Sequence, residues 1–245
     1  MAMVVLATTA PVSPWTARAL TADEAAVDYN TYAASYDQLD GGAAATALGL
    51  DGARAALVGQ AKGRVLEIGV GTGLNLAYYQ WSQIDSLTLV DISPGMLTEC
   101  REKYQYMVNQ GTSKLPPIEF VTADATKDLV QRLGSSQFFD SVVDTFSLCV
   151  MGNVGAAQCL DQLKQVARGR LLLLENTRSA ENRWLAAYQD VTAQAAAALG
   201  GKGCVYNQDA AALIRATPEL RIVDEISYVN GVFTAFVVDK VGFHS

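Results

Sequence analysis

The apolar positions of the chain fall into short runs separated by polar, glycine-rich turns, and these runs alternate with stretches of helical period. Residues 64–68 (Arg-Val-Leu-Glu-Ile) form the first strand-like run. Residues 86–90, 118–122 and 140–145 form the next three. The fifth spans 170–175, and its four consecutive leucines leave neither face polar. Such a run belongs at the centre of a sheet covered on both sides. A helix is predicted from Ser93-Pro94, an N-cap followed by proline at the first helical position, to about Gly111. Another, about 154–166, carries Val154, Ala157, Leu160, Leu163 and Val166 at three-residue spacings. Strands alternating with helices imply parallel βαβ units with right-handed crossovers.

The rhythm changes near the end. An Ala-rich helix is expected over 179–199, stopped by Gly200-Gly201. A short helix follows over 208–216, ended by Thr217-Pro218. Two β-rich runs, 220–228 and 232–238, are joined by Asn230-Gly231, a hairpin signal. The sheet should therefore finish with one antiparallel strand inserted beside its neighbour.

Composition narrows the chemistry. Among 245 residues there is a single histidine, His244, which excludes a His-based triad unless the C-terminus folds back, and excludes multi-histidine metal sites. No metal is expected. The net charge of −7, without a Lys/Arg cluster, argues against DNA and disfavours RNA. Cys100, Cys149, Cys159 and Cys204 form no CxxC pair and read as free thiols in a reducing compartment. No apolar run approaches the roughly 20 residues that span a bilayer, which leaves peripheral membrane contact open. Residues 1–22 hold no acid and one base, Arg18. Residues 1–28 are read either as a flexible leader or as the remnant of a targeting peptide, and 29–245 as one domain. Location in an organelle (chloroplast or mitochondrion) or in the cytoplasm stays open.

The chemistry signal follows the first strand: Glu67-Ile-Gly69-Val-Gly71-Thr-Gly73-Leu-Asn75. Glycines at alternate positions let the backbone turn tightly and approach a ligand. A helix N-terminus is expected immediately afterwards. The dinucleotide pattern GxGxxG fails here, because Leu74 or Leu76 stands at the third glycine position. A carboxylate two residues before the first glycine suits a cationic ligand better than a pyrophosphate. Asp91 ends the second strand, 20 residues beyond Gly71, where an acid accepts hydrogen bonds from a ribose diol. The third strand ends in Thr122-Ala-Asp124-Ala125, and the fourth follows Phe138-Phe-Asp140.

These four elements, in order and in spacing, resemble the motif set of class I S-adenosylmethionine-dependent methyltransferases. The resemblance implies an α/β, Rossmann-like class I methyltransferase fold: a seven-stranded, mostly parallel sheet with one antiparallel strand and helices on both faces. It implies S-adenosylmethionine as cofactor. Gly69, Gly71 and Gly73 would form the cofactor loop, Asp91 would hold the ribose hydroxyls, and Asp124 and Ala125 would read the adenine edge. Glu67 would orient the methionine ammonium or else cap the loop amides. Ile92 and Met96 would sandwich the adenine or belong to the core. Thr145, at the tip of the fourth strand, would face the methionine part.

Tyr32-x3-Tyr36-Asp37 resembles the entry segment of UbiE-type quinone methyltransferases. Gly71-Thr-Gly-Leu-Asn75, residues 145–150 and Gly203-Cys204 resemble the methyltransferase-like-seven family of thiol methyltransferases. This implies cofactor roles for Tyr36 and Asn75. The implied reaction is methyl transfer to a small, lipophilic acceptor: a thiol, a quinol or a carbon acid. Two alternatives stay open: a non-catalytic subunit or assembly factor of an organellar complex, and a protein or RNA methyltransferase. No catalytic residue is assigned, although Asp144 or a tyrosine could deprotonate an acidic acceptor. Cys149 reads as a buried small hydrophobe rather than a nucleophile. Trp184 and Tyr188 share a helix face, and line an acceptor pocket or the core.

Overall fold

The computed structural model describes residues 19–37, 48–111, 115–134, 138–198 and 203–242. Seven strands form one sheet: β1 (Gly63–Ile68), β2 (Ile84–Asp91), β3 (Ile118–Thr122), β4 (Phe139–Thr145), β5 (Ala167–Asn176), β6 (Leu220–Tyr228) and β7 (Phe233–Lys240). Their order is β3-β2-β1-β4-β5-β7-β6. The first five are parallel, and β7 runs antiparallel between β5 and β6. This is the Rossmann-like methyltransferase fold that the sequence implies. The strand order reverses between β1 and β4, so the crevice outside their C-terminal ends is where such sheets bind ligands.

The four leucines of β5 show how the sequence builds two cores. Leu171 and Leu173 pack on one face with Leu66, Val142, Leu160 and Ile214. Leu172 and Leu174 pack on the other with Leu57, Leu89, Leu97 and Val143. Alternation of side chains along a strand divides the run between two helical layers. Those layers are α1 (Ala22–Tyr32), α2 (Leu50–Val58), α3 (Pro94–Asn109), α4 (Leu129–Leu133), α5 (Leu148–Val166), α6 (Arg183–Ala198) and α7 (Ala210–Ala216). α3 starts as expected, with Ser93 Oγ accepting from the Met96 amide and proline in its first turn.

Four local expectations need correction. First, no α-helix follows the glycine loop. Its crossover to β2 is made of two 3-10 turns, Leu74–Ala77 and Trp81–Gln83, because Tyr79 turns inward to reach Glu67. Second, the Ala-rich helix starts at Arg183 rather than at residue 179. Ser179 is held in a turn by the Gln189 side chain and the Asn230 carbonyl, and Asn182 Oδ1 accepts the first free amides. Third, the β6–β7 turn is longer than the expected Asn230-Gly231 pair: Val229, Asn230 and Gly231 are all left-handed. Fourth, the boundary expected after residue 28 falls inside α1. Thr21 and Glu24 form a reciprocal capping box that starts this helix well before it. Residues 1–18 and His244 lie outside the described residues.

Candidate active site

A cavity of about 410 Å³ opens at the C-terminal ends of β1, β2, β3 and β4. Its floor contains Gly69, Gly71, Asp91, Asp124 and Thr145. The three loop glycines all adopt left-handed backbone, with φ of 56°, 56° and 82°. They differ in what surrounds them. A Cβ on Gly69 would lie 2.4 Å from Ser147 Cβ, and one on Gly73 would lie 2.7 Å from Cys100 Sγ. A Cβ on Gly71 would meet nothing within 4 Å. Gly69 and Gly73 are thus required by packing, whereas Gly71 faces free space on the cavity wall.

Asp91 ties the glycine loop to the start of α3. Its Oδ2 accepts from the Gly71 amide and its Oδ1 from the Ser93 amide, both at 2.8 Å. Burial raises its pKa to about 6, against the opposing effect of those amides. The carboxylate, with about four lone-pair sites, keeps acceptor capacity for a ligand. Asp124 is engaged by its own turn: Oδ1 accepts from the Thr126 amide and hydroxyl, and Oδ2 pairs with Lys127 at 3.3 Å. Ile92, Met96 and Ala125 line the cavity, with Met96 fully buried.

Glu67, Gly73 and Asn75 do not line the cavity; they lie behind it. Glu67 is 1% exposed and accepts from Tyr79 Oη at 2.6 Å and Asn75 Nδ2 at 2.9 Å. Burial raises its pKa to about 7. It caps side chains, not loop amides. Asn75 relays this network forward: its Oδ1 accepts from Arg54, and its Nδ2 also donates to Thr145 Oγ at 3.0 Å. Arg54 Nη1 donates to the same Thr145 oxygen at 3.1 Å and its guanidinium lies over the Phe146 ring. With two donors on its oxygen, the Thr145 hydroxyl keeps its own proton for a cavity ligand. Arg54 carried no sequence motif and was missed.

Of the roof, the sequence pointed only to Tyr36. Thr21, Ala22, Ala25 and Tyr29 of the α1 region line the cavity together with Tyr36. Asn30 Oδ1 accepts from Ser93 Oγ and the Gly95 amide, and Asp37 accepts from Thr72 Oγ and Lys103 Nζ. The roof is therefore latched to both loops of the floor. Its entry rests on two left-handed glycines, where a Cβ at Gly152 or Gly203 would collide with Ala19 or Leu20 at 2.4 Å. The Thr21-x-x-Glu24 spacing was the available sequence signal.

Two other expectations fail. Asp144 is fully buried and does not reach the cavity; it faces Glu175, which is equally buried. Burial raises both carboxyls; the neighbouring Asp144 raises Glu175 further, while their shared hydrogen bond lowers Asp144, so the pair retains a proton on Glu175. Trp184 and Tyr188 line neither a pocket nor the core: they are 75% and 64% exposed on α6. Cys149 is buried, in keeping with a packing role. Among the described residues no cluster of metal-ligating side chains occurs.

Comparison with known proteins agrees with this geometry. Residues 65–169 match the family model described as "Methyltransferase domain". A mitochondrial methyltransferase, OMS1 of Saccharomyces cerevisiae, is 27% identical over 134 residues, covering 50% of this chain. The match spans only 27% of that protein's length. A phosphatidylethanolamine N-methyltransferase of Cereibacter sphaeroides is 29% identical over 182 residues, covering 74% of this chain and 81% of the relative. In fold, the chain resembles the N-methyltransferase NodS of Bradyrhizobium japonicum solved with S-adenosyl-L-homocysteine (TM-score 0.61, 14% identity, covering 89% of this chain and 99% of that one). The sheet and its crevice are those of class I methyltransferases. Residues 65–169 are similar to known methyltransferase domains, and the fold is that of the class I, S-adenosylmethionine-dependent methyltransferases.

Proposed function

We propose that the chain transfers the methyl group of S-adenosylmethionine to a small, lipophilic acceptor that reaches the site already soft or acidic: a thiol, a quinol or a carbon acid. The observation that carries this reading is the lining of the cavity. Its carboxylates, Asp91 and Asp124, both sit on the β2 and β3 side, and no imidazole lines it among the described residues. The phenols of Tyr29 and Tyr36 are the acid–base groups of the roof, and burial holds Tyr29 well above its usual pKa. Such a wall offers little general-base help, so an unactivated alcohol is a poor acceptor.

The residues present fit the cofactor. Gly71 leaves open space where a side chain would otherwise stand, and Asp91 retains acceptor capacity for a ribose diol. Asp124, Ile92 and Ala125 would hold the adenine side, and Thr145 would donate to the methionine part. Tyr36 and the α1 roof would close over the ligand and exclude water. Glu67 and Asn75 would act behind the loop by positioning Thr145 and Arg54. The bound cofactor would supply an electrophilic sulfonium methyl; the protein would contribute orientation and desolvation. The yeast relative gives an organellar location its support, and no described helix is long and apolar enough to cross a membrane.

Incubation of the purified chain with methyl-labelled S-adenosylmethionine and a cell extract tests the reading. Label is expected in the organic-soluble small-molecule fraction. Label confined to protein or RNA, or no label above a heat-killed control, would contradict it.

A further inference from the structure

Two of the four cysteines meet outside the cavity just described. Cys149 lies in the first turn of α5, and Cys204 in the segment that leads into α7. The Val205 amide donates to the Cys149 carbonyl at 2.9 Å, so the two backbones run side by side. A disulfide needs Cα atoms about 4.4–6.8 Å apart, and this contact brings the two segments together at those positions. Asn176 Nδ2 bridges the two thiols, 3.5 Å from Cys149 Sγ and 3.0 Å from Cys204 Sγ. Cys149 is completely buried, whereas Cys204 is partly exposed. The other two thiols are separated from this pair and from each other: Cys159 belongs to the core on one sheet face and Cys100 to the core on the other.

The position matters because of what each partner carries. Cys149 follows Ser147, which lines the cavity, and precedes Gly152, on which Ala19 rests. Cys204 follows Gly203, on which Leu20 rests. Each cysteine therefore belongs to a segment that supports the roof's entry.

We propose that Cys149 and Cys204 form a redox-sensitive modification site whose disulfide fixes the seat of the α1 roof. With a peroxide as oxidant, the thiol of the partly exposed Cys204 is converted to a sulfenic acid, and peroxide is reduced to water. The Cys149 sulfur then attacks the Cys204 sulfur; the S–O bond breaks, the S–S bond forms, and hydroxide leaves with the thiol proton as a second water. Four electrons are not needed: two leave the thiol pair and two reduce one peroxide.

The full chain, treated with hydrogen peroxide and then alkylated under denaturing conditions, tests this by mass spectrometry. The expected result is a loss of about 2 Da, two alkylated cysteines instead of four, and a peptide linking residues 149 and 204. Cys204→Ser and Cys149→Ser each abolish that linked peptide, while Cys100→Ser leaves it. Oxidised chain is also expected to release S-adenosyl-L-homocysteine at least about threefold more slowly, as the roof's seat can no longer spread. Four alkylated cysteines after peroxide, a link through Cys100 or Cys159, or disulfide-linked dimers would overturn the site. Equal release rates would overturn its link to the roof.

Discussion

Alanine substitutions at the three loop glycines separate folding from binding, because the three sites differ in what a methyl group would meet. Each substitution puts an L side chain in left-handed backbone, at a cost of about 1–2 kcal/mol. At Gly71 that is the whole cost to the protein, since nothing lies within 4 Å of the new Cβ. For a domain of this size it lowers Tm by roughly 2–8 °C. At Gly69 the Cβ would lie 2.4 Å from Ser147 Cβ and 2.9 Å from its Oγ, in a turn fixed by the start of α5. Overpacking adds about 1–3 kcal/mol, for a total of roughly 2–5 kcal/mol and a Tm drop of about 5–20 °C. Gly73→Ala falls between, because its neighbours Cys100 Sγ and Leu76 Cδ1 are side-chain ends that can move. Binding should follow a different order. The Gly71 methyl would occupy the cavity wall and should weaken S-adenosyl-L-homocysteine by at least about tenfold in a well-folded protein. Thermal melts and titration calorimetry on the three variants read both quantities. Wild-type affinity in Gly71→Ala would refute the claim that this wall cradles the cofactor. A Gly69→Ala protein as stable as Gly71→Ala would refute the packing argument.

Three further predictions rest on other groups. Asp91→Ala should weaken S-adenosyl-L-homocysteine by roughly 10- to 100-fold, since it removes a charged acceptor as well as the tie between the two floor loops. Protonation of Asp91 has a related effect: wild-type affinity should fall as pH drops through about 6, and this dependence should flatten in Asp91→Asn. Glu67 has a folded pKa raised from 4.5 to about 7, so the folded state holds a proton that the unfolded chain releases in that window. Stability should therefore decline as pH rises from 4.5 to 7, by up to about 3 kcal/mol from this group, and level off above. Urea midpoints of wild type and Glu67→Gln, differenced at each pH, isolate the effect; a flat difference would count against it. Asn30→Ala removes the acceptor shared by Ser93 Oγ and the Gly95 amide. It should cost about 1–2 kcal/mol locally, seen as faster hydrogen exchange over residues 21–36 with little change in global Tm.

The elements legible in the sequence were those whose signal is local. The β5 leucines, the Ser93-Pro94 helix start and the β6–β7 hairpin are set by period and turn chemistry, and each appears in the structure. The spacing from Gly71 to Asp91 singled out two residues of the floor, which the fold joins by a hydrogen bond that the sequence did not announce. What stayed hidden depends on long-range packing. The inward turn of Tyr79 onto Glu67 replaced an expected helix with 3-10 turns and moved Glu67 and Asn75 behind the floor. The roof joins residues 21–37 to the glycine loop and to α3 and its cap through Asn30 and Asp37, across separations that no local pattern encodes. Trp184 and Tyr188 followed a helical stripe, yet α6 buries Ala186, Gln189 and Ala193 and turns both aromatics outward.

Direct titration of S-adenosyl-L-homocysteine into the purified wild-type chain tests the central claim most simply. The geometry of the glycine loop, Asp91 and Thr145 predicts one saturable site, with affinity reduced in Asp91→Ala and Gly71→Ala proteins that remain folded. Absence of binding at about millimolar ligand, a limit of roughly 4 kcal/mol of binding free energy, would contradict it.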